Sequence, residues 1–158
     1  MFSNTKEMEQ VFSVAMKSTI DNITEFMEHE IKDEINNEQI GKNGVMYEST
    51  GEFHDAWKST KAVGYNNDFT GKMEYDPDMI HTIDPENFIH GSNEFKVNDV
   101  SEFLPNIIFE GKAGKLFGQG FWTEPRDAWT PMLKTTDRNF AKLLKQNLRQ
   151  YGIKIQRG

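Results

Sequence analysis

The sequence predicts an α+β fold: a long N-terminal helix, a small antiparallel sheet, and a C-terminal helix packed on that sheet. Three observations lead there. An apolar period of 3.6 residues runs without Pro or Gly from about Thr5 to Asn37. Two short segments, Ser59 to Tyr65 and Phe69 to Tyr75, flank the polar turn Asn66-Asn67-Asp68. A second amphipathic period opens at Thr130-Pro131 and stops at Tyr151-Gly152.

In the first helix Phe12, Met16, Ile20, Ile23, Met27, Ile31 and Ile35 advance by steps of three or four and keep one apolar stripe. Between them Glu7, Glu9, Asp21, Glu25, Glu28, Glu30, Asp33 and Glu34 make the rest of the surface acidic. Asn36-Asn37 followed by Gly41 supplies the stop. Some thirty residues at 1.5 Å each span roughly 50 Å, whereas a domain of this size is only about 40 Å across. The helix is therefore expected to overhang its own domain and to need a neighbour for its stripe.

After the turn Gly41-Lys42-Asn43-Gly44, Thr50 suits an N-cap, with Phe53 and Trp57 one helical turn apart on one face. The hairpin follows. Asp76-Pro77 and Asp84-Pro85 punctuate the next stretch, and Ile107-Ile108-Phe109-Glu110-Gly111 reads as a third short strand. The glycine-rich run Lys112 to Gly120 has the composition of a long loop. In the last helix Thr130 is the expected N-cap, Pro131 the first helical residue and Gly152 the left-handed stop. Leu133, Phe140, Leu144, Leu148 and Tyr151 form its apolar face, and Lys134, Arg138, Lys142, Lys145 and Arg149 a separate basic stripe.

A length of 158 residues fits one domain. Residues 1–40 hold the N-terminal helix, 41–125 the strands and long loops, and 126–158 the C-terminal helix and tail. Hydrophobic residues reach only 36%, a thin supply for a core, yet aromatics reach 12%; part of the apolar surface is expected to be completed by a partner. The absence of cysteine excludes disulfides and thiolate chemistry. Neither a signal-peptide pattern nor an apolar run long enough to span a bilayer occurs, so a soluble protein made in the cytoplasm is expected.

Charge is divided unevenly. From Pro131 onward seven bases face the single acid Asp137, a local balance of +6. With −7 overall, the remainder carries −13. Such a division suits head-to-tail contacts between subunits, although bases near a helix C-terminus also simply complement its dipole.

Nothing in the sequence assembles a catalytic motif. His29, His54, His81 and His90 form no His-x-x-x-His pair. Asp76, Asp78, His81 and Asp84 are the densest set of potential ligands, but their spacing fits no calcium loop, and Asp-Pro pairs commonly mark turns. Gly111, Gly114, Gly118 and Gly120 lack the Gly-Lys-Ser/Thr ending of a phosphate loop. No enzymatic activity and no cofactor are expected.

Three segments, taken in order, carry a resemblance. They are Tyr47-Glu48-Ser49-Thr50-Gly51-Glu52-Phe53-His54-Asp55-Ala56-Trp57, then Ile107-Ile108-Phe109-Glu110-Gly111, then Arg126 to Leu133 leading into the basic helix and Tyr151-Gly152. Together they resemble the tail-completion, or head–tail joining, proteins of long-tailed bacteriophages. Where that family shows Arg-Pro-Phe, this chain has Arg126-Asp127-Ala128-Trp129-Thr130-Pro131. The resemblance implies a virion protein forming a ring, commonly of six subunits, between the head connector and the tail tube or tail terminator. It implies neither cofactor nor catalytic residue.

On this reading Phe12, Met16, Ile20, Ile23, Met27 and Ile31 are interface residues. Arg138, Lys142, Lys145 and Arg149 face a neighbour or the DNA channel. Phe53, Trp57, Trp129, Leu133, Phe140 and Leu144 are core. The other function class left open is a small metal-dependent or ligand-binding protein using the Asp76–His90 region.

Overall fold

A computed structural model describes residues 4–38, 51–65, 68–80, 97–111 and 125–153, with the backbone alone for Tyr65 and residues 97–100. It has the expected α+β architecture: a long N-terminal helix, a two-stranded antiparallel sheet and a C-terminal helix packing on it. The elements are α1 (Thr5–Asn37), α2 (Glu52–Asp55), β1 (Trp57–Tyr65), β2 (Asp68–Tyr75), a 3-10 turn (Pro77–Met79), α3 (Val97–Glu110) and α4 (Trp129–Gln150).

Contacts divide the chain into two compact units. One comprises residues 1–30, 59–74 and 133–158, and the other residues 31–58 and 75–132.

In the first unit, polar groups do much of the joining. Asp21, Glu25 and Glu28 stand at steps of four and three, on one side of α1. All three reach β1. Asp21 accepts the Ala62 backbone N–H, Glu25 pairs with the Lys61 ammonium, and Glu28 accepts both the Ser59 N–H and its hydroxyl, each at 2.7 Å. An exposed strand edge is a template for unwanted pairing; here the helix occupies part of it. In β2 burial alternates strictly, turning Phe69, Gly71 and Met73 inward. Gly71 is needed for close approach, since a methyl group there would lie 2.6 Å from Ile20 Cγ2 and 2.8 Å from Thr24 Cγ2. Asn22 and Asn147 hydrogen-bond through their side-chain amides, joining α1 to α4.

The second unit is built on aromatic rings. Trp57, 4% exposed, stacks on Phe109 at 5.7 Å and 23° and touches Tyr75 and Trp129. Phe53 closes the cluster against Trp57, Tyr75 and Phe109. Ile31, Ile35, Ala56, Ile107, Ile108, Ala128 and Met132 are buried in the same unit.

Several sequence expectations change. Ile107-Ile108-Phe109 is not a strand but the last turn of α3, which ends at Glu110 before Gly111. A short apolar run has no period of its own. Here Ser101, Leu104 and Ile108 supply the helical spacing, while Glu102, Phe103, Asn106 and Glu110 stay exposed. Pro105 lies inside the helix and lacks the N–H that would meet the Ser101 carbonyl. The Tyr75 phenol donates to that carbonyl at 2.9 Å instead.

Thr50 lies outside the described residues. The residue before α2 is Gly51, at φ 81° and without a side-chain cap, and α2 ends before Trp57. Phe53 and Trp57 therefore meet edge-to-face at 6.2 Å between a short helix and a strand, not along one helix face. α4 begins two residues earlier than expected, at Trp129, and the carboxylate of Asp127, rather than Thr130, caps it by accepting the Thr130 N–H at 2.9 Å. Its end is as expected. Gly152 adopts φ 77°, its N–H reaches the Arg149 carbonyl at 3.0 Å, and the Ile153 N–H reaches Leu148 at 3.0 Å.

Candidate interaction surfaces

The buried side of α4 is defined by Met132, Thr136, Asn147 and Leu148, the last of these a residue of the expected apolar face. Two of these are polar, and burial obliges them to bond. Asn147 does so twice, to Asn22 and to the Leu143 carbonyl at 2.9 Å. Leu133 and Phe140, expected in the core, are 41% and 45% exposed. Both project between Asn147 and Leu148 around the helix, yet they stay exposed. Leu144 is half-buried there, as are Phe53 and Trp129 within the aromatic cluster.

Opposite the buried side lie Lys134, Arg138, Lys142, Lys145 and Arg149. All are exposed except Lys145, which is half-exposed. Their steps of four, four, three and four keep them in one line. No carboxylate pairs with any of them among the described residues; the ion pairs found there include His54–Asp55, Lys58–Asp76 and Lys61–Glu25.

The acidic surface of α1 has a different status. Sequence reasoning treated its carboxylates as a solvated face or as a dock for a neighbour, and missed that Asp21, Glu25 and Glu28 engage β1 of their own chain. Their 4–3 spacing was the available signal. The Glu25 hydrogen bond, and then its charge, raise the Lys61 ammonium above its ordinary pKa.

The expected apolar interface of α1 also divides. Ile31 is fully buried within the chain, so it is not an interface residue. Ile20 packs near Gly71; Met16, Ile23 and Met27 are half-buried. Phe12 is 43% exposed, and with Met8 at 48% it extends the line of buried Ala15 and Thr19 by steps of four, three and four. The apolar stripe thus runs beyond what the described residues cover.

For the Asp76–His90 region, Asp76 is engaged locally. Its carboxylate accepts the Asp78 N–H at 3.1 Å and faces Lys58 at 3.4 Å, the behaviour of a turn cap. His81, Asp84 and His90 lie outside the described residues. Among the described residues no group of three His, Asp or Glu side chains could hold a metal ion, and no helix is long and apolar enough to cross a membrane.

No protein-family model, curated protein or solved structure matches the chain.

Proposed function

We propose that the chain is a self-associating structural subunit whose assembly is a ring at the head–tail junction of a long-tailed bacteriophage, seated between the head connector and the tail tube or tail terminator. Self-association rests on one observation: the buried line of α1 continues uncovered through Phe12 and Met8. Large apolar side chains placed in register with a core stripe suit a symmetric contact, which repeats at every subunit boundary of a closed ring. The place in the virion rests on the resemblance of Tyr47 to Trp57, Ile107 to Gly111 and Arg126 to Leu133 to head–tail joining proteins.

Sedimentation of the full chain tests the first part. The wild type should sediment as an oligomer, and Met8→Glu/Phe12→Glu as a monomer with a little-changed melting temperature, because neither side chain is buried within the chain. A wild type that stays monomeric at all concentrations would remove the reading. The second part is tested by infection with a phage lacking the gene: filled heads and finished tails should accumulate unjoined.

A further inference from the structure

We infer that the solvent side of α4 binds the phosphate backbone of duplex DNA without reading its sequence. Lys134 and Arg149 stand fifteen steps apart on one helix, about 22 Å at 1.5 Å per residue. Duplex DNA presents a phosphate charge about every 1.7 Å of its axis, so this length faces roughly a dozen phosphates. A rigid row of cations matches a rigid row of anions.

Three features favour this partner over others. Like charges one helical turn apart repel, so a row that no carboxylate pairs among the described residues favours a partner that brings counter-charge. In the obvious internal candidate, α1 of a second copy, three of the eight carboxylates (Asp21, Glu25 and Glu28) are already engaged by β1, which weakens its pull on the row. A membrane surface requires a free apolar face beneath the bases, whereas the side of α4 opposite the row is buried at Met132, Thr136 and Asn147. No aromatic residue interrupts the row, which removes the stacking platform that single strands use. The −13 carried elsewhere is screened beyond about 10 Å at 0.1 M salt. The inference draws on the proposed assembly only for avidity, since a ring would bring several rows to one duplex; a single chain carries the contact itself.

Fluorescence anisotropy of a labelled random-sequence duplex, titrated with the full chain from 50 to 200 mM salt, is the test. Five neutralised phosphates predict a slope of log K against log salt near −4.5, at roughly −0.9 per contact. Arg138→Gln/Lys142→Gln/Lys145→Gln/Arg149→Gln should bring the slope to about −1 and weaken binding at least tenfold at the lowest salt. Should that variant fold poorly, Arg138→Gln/Lys142→Gln should still flatten the slope by about 2. A second duplex of unrelated sequence should bind equally. No binding at 50 mM salt, equal binding by the variants, or tighter binding to polyglutamate than to DNA would each overturn the inference. Sedimentation of the same samples separates the two readings. A monomer that binds DNA removes the ring and keeps this surface, and a ring that ignores DNA does the reverse.

Discussion

The two compact units are held together by different physics. Residues 31–58 and 75–132 centre on Trp57, whose indole touches Phe53, Tyr75, Phe109 and Trp129. Residues 1–30, 59–74 and 133–158 have no such ring cluster among the described residues. Fixed hydrogen bonds replace it: Asp21 and Glu28 on β1, and Asn22 on Asn147. Among the described residues, one unit is centred on rings that touch one another and the other is joined by directional polar contacts. Burial by volume tolerates reshaping but not deletion, whereas a charged hydrogen bond tolerates neither loss of its acceptor nor a change in geometry. The two units should therefore fail in different ways.

The largest effect is expected in the ring cluster. Trp57→Ala should cost about 3–5 kcal/mol, a large share of the roughly 5–15 kcal/mol that holds a domain, and should melt early or express poorly. Trp57→Phe should retain much of that stability. Among the described residues the indole N–H has no hydrogen-bond partner, so the replacement loses mainly volume. An alanine variant with an unchanged melting temperature would show that the cluster does not hold the unit.

In the first unit, Asp21→Ala and Glu28→Ala should each cost about 1.5–3 kcal/mol, the range for hydrogen bonds to charged groups. Glu25→Ala should cost least of the three. Its partner, Lys61, is 73% exposed and both groups are well hydrated when apart. Thermal melts of the three variants check the order. If Glu25→Ala proved the most damaging, charge attraction rather than backbone anchoring would be what joins α1 to the hairpin.

Which parts were legible in the sequence follows from the same contrast. α1 was legible over its whole length because its apolar steps repeat many times, and the hairpin because a polar turn separates two strand-like runs. α3 was not: three adjacent apolar residues have no period, and Pro105 reads as a breaker unless Tyr75 is known to serve the carbonyl it leaves. On α4 the sequence pointed to Leu133, Phe140 and Leu148; Leu148 is buried, but Leu133 and Phe140 are exposed while Thr136 and Asn147 are inside. Hydropathy cannot foresee a polar side chain that goes inside because another element, here Asn22, meets it. The candidate surfaces follow the same rule. The basic row was legible because exposed charges need no partner to be seen. The carboxylates of α1 were misassigned because only the fold reveals that β1 lies beside them.

The smallest effect joins the aromatic cluster to the one irregularity in α3. The Tyr75 phenol is half-buried among rings, and this burial, with the charge of Asp76 adding to it, pushes its pKa well above the ordinary value of about 10. The neutral phenol is also the donor that the Ser101 carbonyl receives in place of the proline N–H. Because the folded-state pKa is raised, the stabilising share is fully present below about pH 10 and is lost as pH rises above it, where the unfolded chain ionises first. Tyr75→Phe should cost about 0.5–1.5 kcal/mol at neutral pH, and should fall off less steeply than the wild type between about pH 10 and 12. Pro105→Ala restores a backbone N–H to the helix, so Tyr75→Phe should cost less in that background than in the wild type. Thermal melts of the four proteins in the cycle measure this coupling directly. An additive cycle would mean that the phenol contributes only as one more ring, and that α3 tolerates its proline without help from Tyr75.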